Sequence, residues 1–169
     1  MTDVADRLTE IADRYRHGHE RPMGPYGLLD AVYGGLAVGI GVAARRRKRS
    51  LPDLSVRDVA LIGAATHRLS RTLAKDPITS PFRMPFTAYE GLSGPSELEE
   101  EVVSHGIGHA VGELLTCPFC LAQWVATGFV AGMIFAPRAT RLVAATFAGV
   151  AIADFLQFAY AGVQQATEH

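Results

Sequence analysis

The sequence predicts an all-α integral membrane bundle of four transmembrane helices, or of three if residues 56–73 do not span, with one polar, proline-rich connecting loop. The apolar residues are grouped in long blocks, and from Leu114 to Ala136 the only ionisable side chains are two thiols. About 20 apolar residues are enough to cross a bilayer as a helix. A basic run, Arg45–Arg49, follows another such block at once, as is typical of a membrane helix with a cytoplasmic anchor.

The composition limits the size and class of the protein. A chain of 169 residues is long enough for one domain, and we expect no second core. The net charge of −1 argues against nucleic acid as a partner, since phosphate binding needs a clustered basic excess. The first 20 residues hold many charges and no apolar core, so we expect no cleavable signal peptide and membrane entry through internal helices.

The N-terminal part, residues 1–24, is predicted to be an amphipathic polar tail, and residues 25–169 a single membrane domain. In the tail, four apolar residues fall at helical spacing: Val4, Leu8, Ile11 and Tyr15. A helix of this kind lies in solvent or on a surface.

The first membrane helix is predicted at about 26–44, where Asp30 is the only charge before Arg45–Arg49. The positive-inside rule places Arg45–Arg49 in the cytoplasm. We therefore expect a multi-pass protein of the cell membrane, with the lipid bilayer as its first partner.

The second helix, about 56–73, is harder to place. Its apolar part is short and continues into a basic stripe that includes His67, Arg68 and Arg71. A full crossing puts these cations near the hydrocarbon unless their side chains reach the headgroups. The segment is either a spanning helix or a half-inserted helix, and in the second case the following loop and the cysteines lie in the cytoplasm.

The polar loop, residues 74–113, contains three prolines within nine positions, which exclude a regular helix there. From Met84 to Pro137 the chain has no lysine or arginine and six glutamates, so with four crossings the loop lies opposite Arg45–Arg49. The last two helices, about 118–136 and 140–163, form a hairpin whose turn carries two arginines.

The two cysteines, Cys117 and Cys120, stand in a Cys-Pro-Phe-Cys pattern at the mouth of a helix. Pro118 suits the first helical turn, so Cys117 falls near the N-cap, where the helix dipole stabilises a thiolate. A redox dithiol is one interpretation. A pair of buried thiols that only pack is another, because the chain lacks the strands of a thioredoxin-like fold.

Zinc binding is a third interpretation of the cysteines. His105 and His109 are four residues apart, and with Cys117 and Cys120 they could complete a tetrahedral site. The spacing is not that of a standard zinc finger, and two glycines weaken the helix that would align the imidazoles. Two exposed loop histidines are the alternative.

Carboxylates inside apolar helices need a partner or water. Asp154 lies in the last helix, and His67, Arg68 or Arg71 could pair with it beside a polar pocket. The alternative is a hydrated carboxylate at a helix end.

Several of these residues together resemble a known family. The carriers are His67-Arg68-Leu69-Ser70-Arg71, Lys75-Asp76, Pro81-Phe82-Arg83, Gly112-Glu113 and the cysteines with Trp124. They resemble the bacterial membrane-protein family called domain of unknown function 1360, which has sporulation-associated relatives in Bacillus. The resemblance covers about residues 57–162 and implies a small multi-helix membrane protein without an established activity. We expect structural polar roles for His67, Arg68, Arg71, Asp76, Arg83, Glu113 and Asp154.

The leading functional prediction is a structural or accessory membrane component, with a membrane protein or a second copy as a further partner. The alternatives are a membrane thiol-disulfide oxidoreductase, with Cys117 and Cys120 as its redox pair, and a zinc-binding membrane protein.

Overall fold

The computed structural model of the chain describes residues 2–17 and 21–167. Residues 1 and 18–20 of the predicted tail and residues 168–169 of the predicted membrane domain lie outside the described residues. These described residues are mostly helical and include one small two-stranded sheet. Among them, three helices are long and apolar enough to cross a membrane, which indicates a membrane protein.

The elements follow one another in a simple order. They are α1 (Thr2–Arg16), α2 (Met23–Arg46), α3 (Val56–Lys75), a 3-10 turn (Pro77–Thr79), α4 (Ser80–Arg83), β1 (Thr87–Gly94), β2 (Glu97–Val102), α5 (Ile107–Thr116), α6 (Pro118–Phe135) and α7 (Pro137–Thr167).

The prediction of an all-α chain is wrong between residues 87 and 102. Strands β1 and β2 pair antiparallel from Thr87 opposite Val102 to Gly94 opposite Glu97, with two irregularities in register. The prolines do prevent a long helix before these strands, but Pro77 and Pro81 each occupy an early position of a short helical turn, where the missing N–H costs little. We call residues 76–116, from the 3-10 turn to the end of α5, the polar cap.

The four-crossing count is not confirmed by hydropathy, because the candidate spans are α2, α6 and α7. Helix α3 begins at a capping box in which Ser55 and Asp58 bond each other's backbone N–H, and it ends at Lys75. The buried residues of α3 are mostly apolar or small, and Ile62 and Ala65 among them pack against α6 and α7.

Side-chain contacts fix the direction of each long helix. Tyr33 lies beside Thr127, and Arg47 lies over the ring of Phe135, so α2 and α6 run in the same direction. A single residue, Ala136, separates α6 from α7, which returns antiparallel. Helix α3 runs parallel to α7, since it meets α7 from Asp58 and Arg141 at its start to Arg68 and Asp154 near its end.

The core lies where α3, α6 and α7 meet. It contains five buried side chains, Ile62, Ala65, Phe129, Met133 and Ala144. Small residues allow these helices to approach closely: a Cβ added at Gly132 would lie 2.5 Å from Oγ1 of Thr140. Such small-residue contacts are typical of helix packing in lipid.

Two ends of the bundle result from this arrangement. The basic end holds Arg45–Arg49, the start of α3 and the α6–α7 turn. The cap end holds the polar cap, the start of α2 and the start of α6.

Candidate functional site

The polar cap is attached to α3 by two ion pairs with matched spacing. Arg71 donates from Nε and Nη2 to Glu97 at 2.9 and 2.6 Å, and Lys75 Nζ lies 3.3 Å from Glu99. Four residues rise about 6 Å along a helix, and two residues rise about 6.8 Å along a strand. Two cations on α3 therefore meet two carboxylates on β2 in register.

A third ion pair is buried inside the cap. Arg83 is fully buried and pairs with Glu100, whose side chain is only 6% exposed. The guanidinium also donates to the carbonyl of Leu73 and to Oγ1 of Thr79, both at 2.7 Å, and to the carbonyl of Asp76 at 3.2 Å. Arg83 thus joins the end of α3, the 3-10 turn and the hairpin at one point.

Glu113 on α5 joins the cap to the start of α2. It accepts hydrogen bonds from Arg21 at 3.0 Å and from the hydroxyl of Tyr26, and His109 Nε2 lies 3.5 Å from it. A hydrogen bond between Arg21 and Tyr26, together with the negative charge of Glu113, raises the pKa of Arg21 above its ordinary value. The predicted structural role of Glu113 therefore has specific partners.

The cysteine pair lies at the junction of α5 and α6. Cys117 ends α5 and is the N-cap of α6, where its Sγ accepts the backbone N–H of Cys120 at 3.2 Å. Pro118 occupies the first turn, as the sequence predicts. Cys117 and Cys120 form a disulfide, with Cα atoms 5.3 Å apart. Cys120 is exposed, and the neighbouring Phe119 is 85% exposed.

The structure does not assemble the predicted zinc site. His105 is exposed before α5, while His109 turns its Nδ1 to the carbonyl of Ser104 at 3.2 Å and its Nε2 to Glu113. Gly106, with a φ of 58°, separates the two histidines at the helix start. Within residues 2–17 and 21–167, no group of three or more His, Cys, Asp or Glu side chains is placed to hold a metal ion.

Asp154 pairs with Arg68, one of the three partners that the sequence offers. Arg68 Nε lies 3.1 Å from Asp154 Oδ2, and Arg68 Nη2 lies 3.7 Å from Asp76. Asp154 is half-buried in the middle of α7, and not at a helix end. Beside this pair, His67 stacks on Phe155 with the ring centres 5.9 Å apart.

This ion pair lines a crevice of about 870 Å³ between α3, the turn of the hairpin and the C-terminal half of α7. Its polar wall includes His67, Arg68, Arg71, Glu97 and Asp154, and its apolar wall includes Ala151, Phe155, Phe158 and Ala161. Asp154 thus lines a crevice with polar and apolar walls.

Several contacts lie beyond the sequence predictions. Arg141 donates to Asp58 at 2.8 and 3.3 Å and joins α7 to the start of α3. Trp124 packs edge-on against Tyr33, with the ring centres 5.2 Å apart. The four-residue spacing of Arg71 and Lys75 is the one signal in the sequence that could have pointed to paired carboxylates two residues apart.

Comparison with known proteins agrees with the resemblance seen in the sequence. Residues 61–160, more than half of the chain, match the model of a family described as protein of unknown function (DUF1360). The match includes both cysteines, the crevice ion pair and the polar cap. No curated protein and no solved structure matches the chain.

Proposed function

The chain belongs to this family of unknown function, and from that premise we propose that it is a four-crossing membrane protein whose cap exchanges disulfides with a protein partner outside the cytoplasm. The observation that carries the proposal is the Cys117–Cys120 disulfide at the start of α6, in which Cys120 is exposed and Cys117 is half-buried.

The helix directions support four crossings. Helices α2 and α6 both run from the cap end to the basic end, so the chain between them has to return. Helix α3 makes this return, and its 20 residues are about 30 Å long, which is the thickness of the hydrocarbon core. Its charged residues do not exclude a crossing, because Asp58 and Arg68 have ion partners on α7.

The distribution of cations supports a cytoplasmic basic end. Eight lysines and arginines lie there: Arg45, Arg46, Arg47, Lys48, Arg49, Arg57, Arg138 and Arg141. The polar cap has one, Arg83, and seven carboxylates, while the last turns of α3 beside the cap carry three more cations, Arg68, Arg71 and Lys75. The tail, which precedes α2 in the chain, has four arginines and five carboxylates. We give the short connecting segments more weight, since they govern orientation most strongly. The disulfide then lies in a compartment where disulfides persist.

The local geometry supports attack on Cys120. A partner thiolate that attacks the sulfur of Cys120, the more exposed of the two cysteines, forms a mixed disulfide and releases Cys117 as a thiolate. The N–H of Cys120 and the positive end of the α6 dipole stabilise that thiolate, which makes it a good leaving group.

The exchange is balanced in electrons. A second thiol of the partner attacks the mixed disulfide at the partner's own sulfur, so the partner leaves oxidised and the Cys117–Cys120 pair is left as two thiols. A second disulfide-bearing protein would restore the pair, because this chain has two cysteines in all.

A purely structural role suits this disulfide poorly. It closes a ring of four residues between two consecutive helices, and by loop-closure entropy such a ring contributes only about 2 kcal/mol. Bonds that hold the cap together come instead from ion pairs such as Arg83 with Glu100.

Trapping of a mixed disulfide tests the function. In membranes, Cys117→Ser should accumulate adducts through Cys120, while Cys120→Ser should form far fewer. Adducts seen equally in both variants would contradict attack on Cys120, and adducts in neither would contradict exchange. The double variant Cys117→Ser/Cys120→Ser is the control for labelling that does not involve these thiols.

Labelling of Cys120 tests on which side of the membrane the cap lies. After reduction, a membrane-impermeant maleimide should label Cys120 in intact cells. Labelling that occurs only in inverted vesicles would place the cap in the cytoplasm and refute the proposed orientation.

A structural accessory role is the second candidate, and the ion pairs of the cap favour it. Arg71, Lys75 and Arg83 fix a folded platform to the bundle whether or not the thiols react. Under this role, the double cysteine variant should fold and retain its membrane partners, which co-purification from membranes would measure.

A further inference from the structure

The crevice beside Asp154 has the features of a binding site for a molecule that carries both a negative and a positive group. Arg68 and Arg71 face it together with three carboxylates, those of Asp76, Glu97 and Asp154. Arg71 is satisfied by three hydrogen bonds to Glu97. Arg68 makes ion pairs with Asp154 and Asp76 at 3.1 and 3.7 Å, and its side chain, which lines the crevice, is 24% exposed. The guanidinium can therefore donate charge-assisted hydrogen bonds to an acceptor bound in the crevice.

The opposite wall of the crevice is apolar. Phe155 and Phe158 of α7 are 65% and 62% exposed, and Ala151 and Ala161 lie on the same helix face. This wall could hold acyl chains while the α3 side holds polar groups.

The position of the crevice along α7 matches the edge of the hydrocarbon. Asp154 is 17 residues beyond Pro137 at the basic end, which is about 26 Å along a helix. The hydrocarbon core is about 30 Å thick. If Pro137 lies at one boundary, the ion pair lies close to the other, where lipid phosphates and amines are found.

We propose that this crevice binds the headgroup of an amino-phospholipid, with its phosphate at Arg68 and His67 and its ammonium at Asp154 and Glu97. A phosphoryl group joined to an amine occurs both in this lipid headgroup and in soluble phosphoethanolamine. We assign the ligand to a lipid because of the apolar wall. The volume of about 870 Å³ lies within the range of small-molecule sites.

The charges of the lining favour an amine over other headgroups. An anionic headgroup would meet three carboxylates against two guanidinium groups. A choline headgroup lacks the N–H donors that a primary ammonium offers to carboxylates. This inference uses the membrane setting of the proposed function but not its thiol chemistry.

Lipid retention tests the proposal. The full chain is placed in nanodiscs of phosphatidylcholine with phosphatidylethanolamine or phosphatidylglycerol, released from them, and measured by native mass spectrometry. We expect phosphatidylethanolamine to be retained over both other lipids by about tenfold, the size expected from one charge-assisted hydrogen bond. Asp154→Asn should remove most of this preference, whereas Asp30→Asn, which changes an exposed carboxylate on α2, should keep it.

A second variant distinguishes loss of binding from a folding defect caused by Asp154→Asn. Ala161→Trp fills the crevice without removing a charge, and it should also abolish the preference. Equal retention of the three lipids, or a preference for phosphatidylglycerol, would overturn the proposal. If soluble phosphoethanolamine were retained as strongly as the lipid, the ligand would not be a lipid. The preference should survive in Cys117→Ser/Cys120→Ser, so its failure is separate from failure of thiol exchange.

Discussion

Replacement of Arg83 by methionine is the sharpest perturbation of the polar cap. The change keeps most of the side-chain length but removes the partner of Glu100, whose side chain is 6% exposed. It also removes three donated hydrogen bonds, to Leu73, Thr79 and Asp76. Breaking a buried ion pair from one side costs about 3–5 kcal/mol, because the other charge stays buried without compensation.

This cost should appear as local opening of the cap, and it can be measured by hydrogen exchange. Because each 1.4 kcal/mol is a factor of ten, amides of β1 and β2 should lose about two to three and a half orders of magnitude of protection. Lys75→Gln is the matched control, since it breaks a pair whose glutamate, Glu99, is 54% exposed. That loss should stay below about tenfold. If Arg83→Met also changed protection by less than about tenfold, Arg83 would not hold the cap to α3.

Other predictions concern the bundle and its junction with the cap. Gly132→Ala should destabilise the α6–α7 contact by about 1–3 kcal/mol, because the added Cβ meets Thr140 at 2.5 Å, and thermal unfolding in detergent should show it. Gly128→Ala, on the same helix with open space around it, should leave stability unchanged or raise it, and equal effects of the two would refute close packing there. Glu113→Gln should weaken the junction of α5 with α2 by about 1–3 kcal/mol, since its hydrogen bond with Tyr26 loses a charge. Hydrogen exchange limited to α5 and the start of α2 measures this, and unchanged protection there would contradict it.

Helices could be predicted from the sequence where one residue pattern decides the structure. The blocks around 26–44 and 118–136 are long and carry no charge except Asp30, and the structure has helices there at Met23–Arg46 and Pro118–Phe135. Cys117 could be placed at an N-cap because Pro118 permits a helix start directly after it. The family could also be recognised, because the residues that carry the resemblance lie within the part of the chain that matches its model.

The hairpin could not be predicted because its strands have no alternation of apolar and polar residues. Glu97, Glu99 and Glu100 look like a solvated acidic run, yet each has a cation partner far away in sequence. Those partners come from α3 and α4, so the pairing depends on tertiary structure that local patterns do not encode. The zinc site is not assembled for a similar reason, since the imidazole of His109 contacts Ser104 and Glu113 and not the cysteines.

Helix α3 shows why hydropathy undercounts the crossings that we propose for this chain. A hydropathy window treats every side chain as if it faced lipid, but α3 buries one face against α6 and α7 and pairs Asp58 and Arg68 with residues of α7. A charge neutralised by a neighbouring helix costs far less in a membrane than one that faces lipid. Because α2 and α6 point in the same direction, the connection between them must cross in any arrangement where both of them span. The same residues that lower the hydropathy of α3 also line the crevice, so the feature that hides this helix from a hydropathy window is the feature that equips it to bind a headgroup.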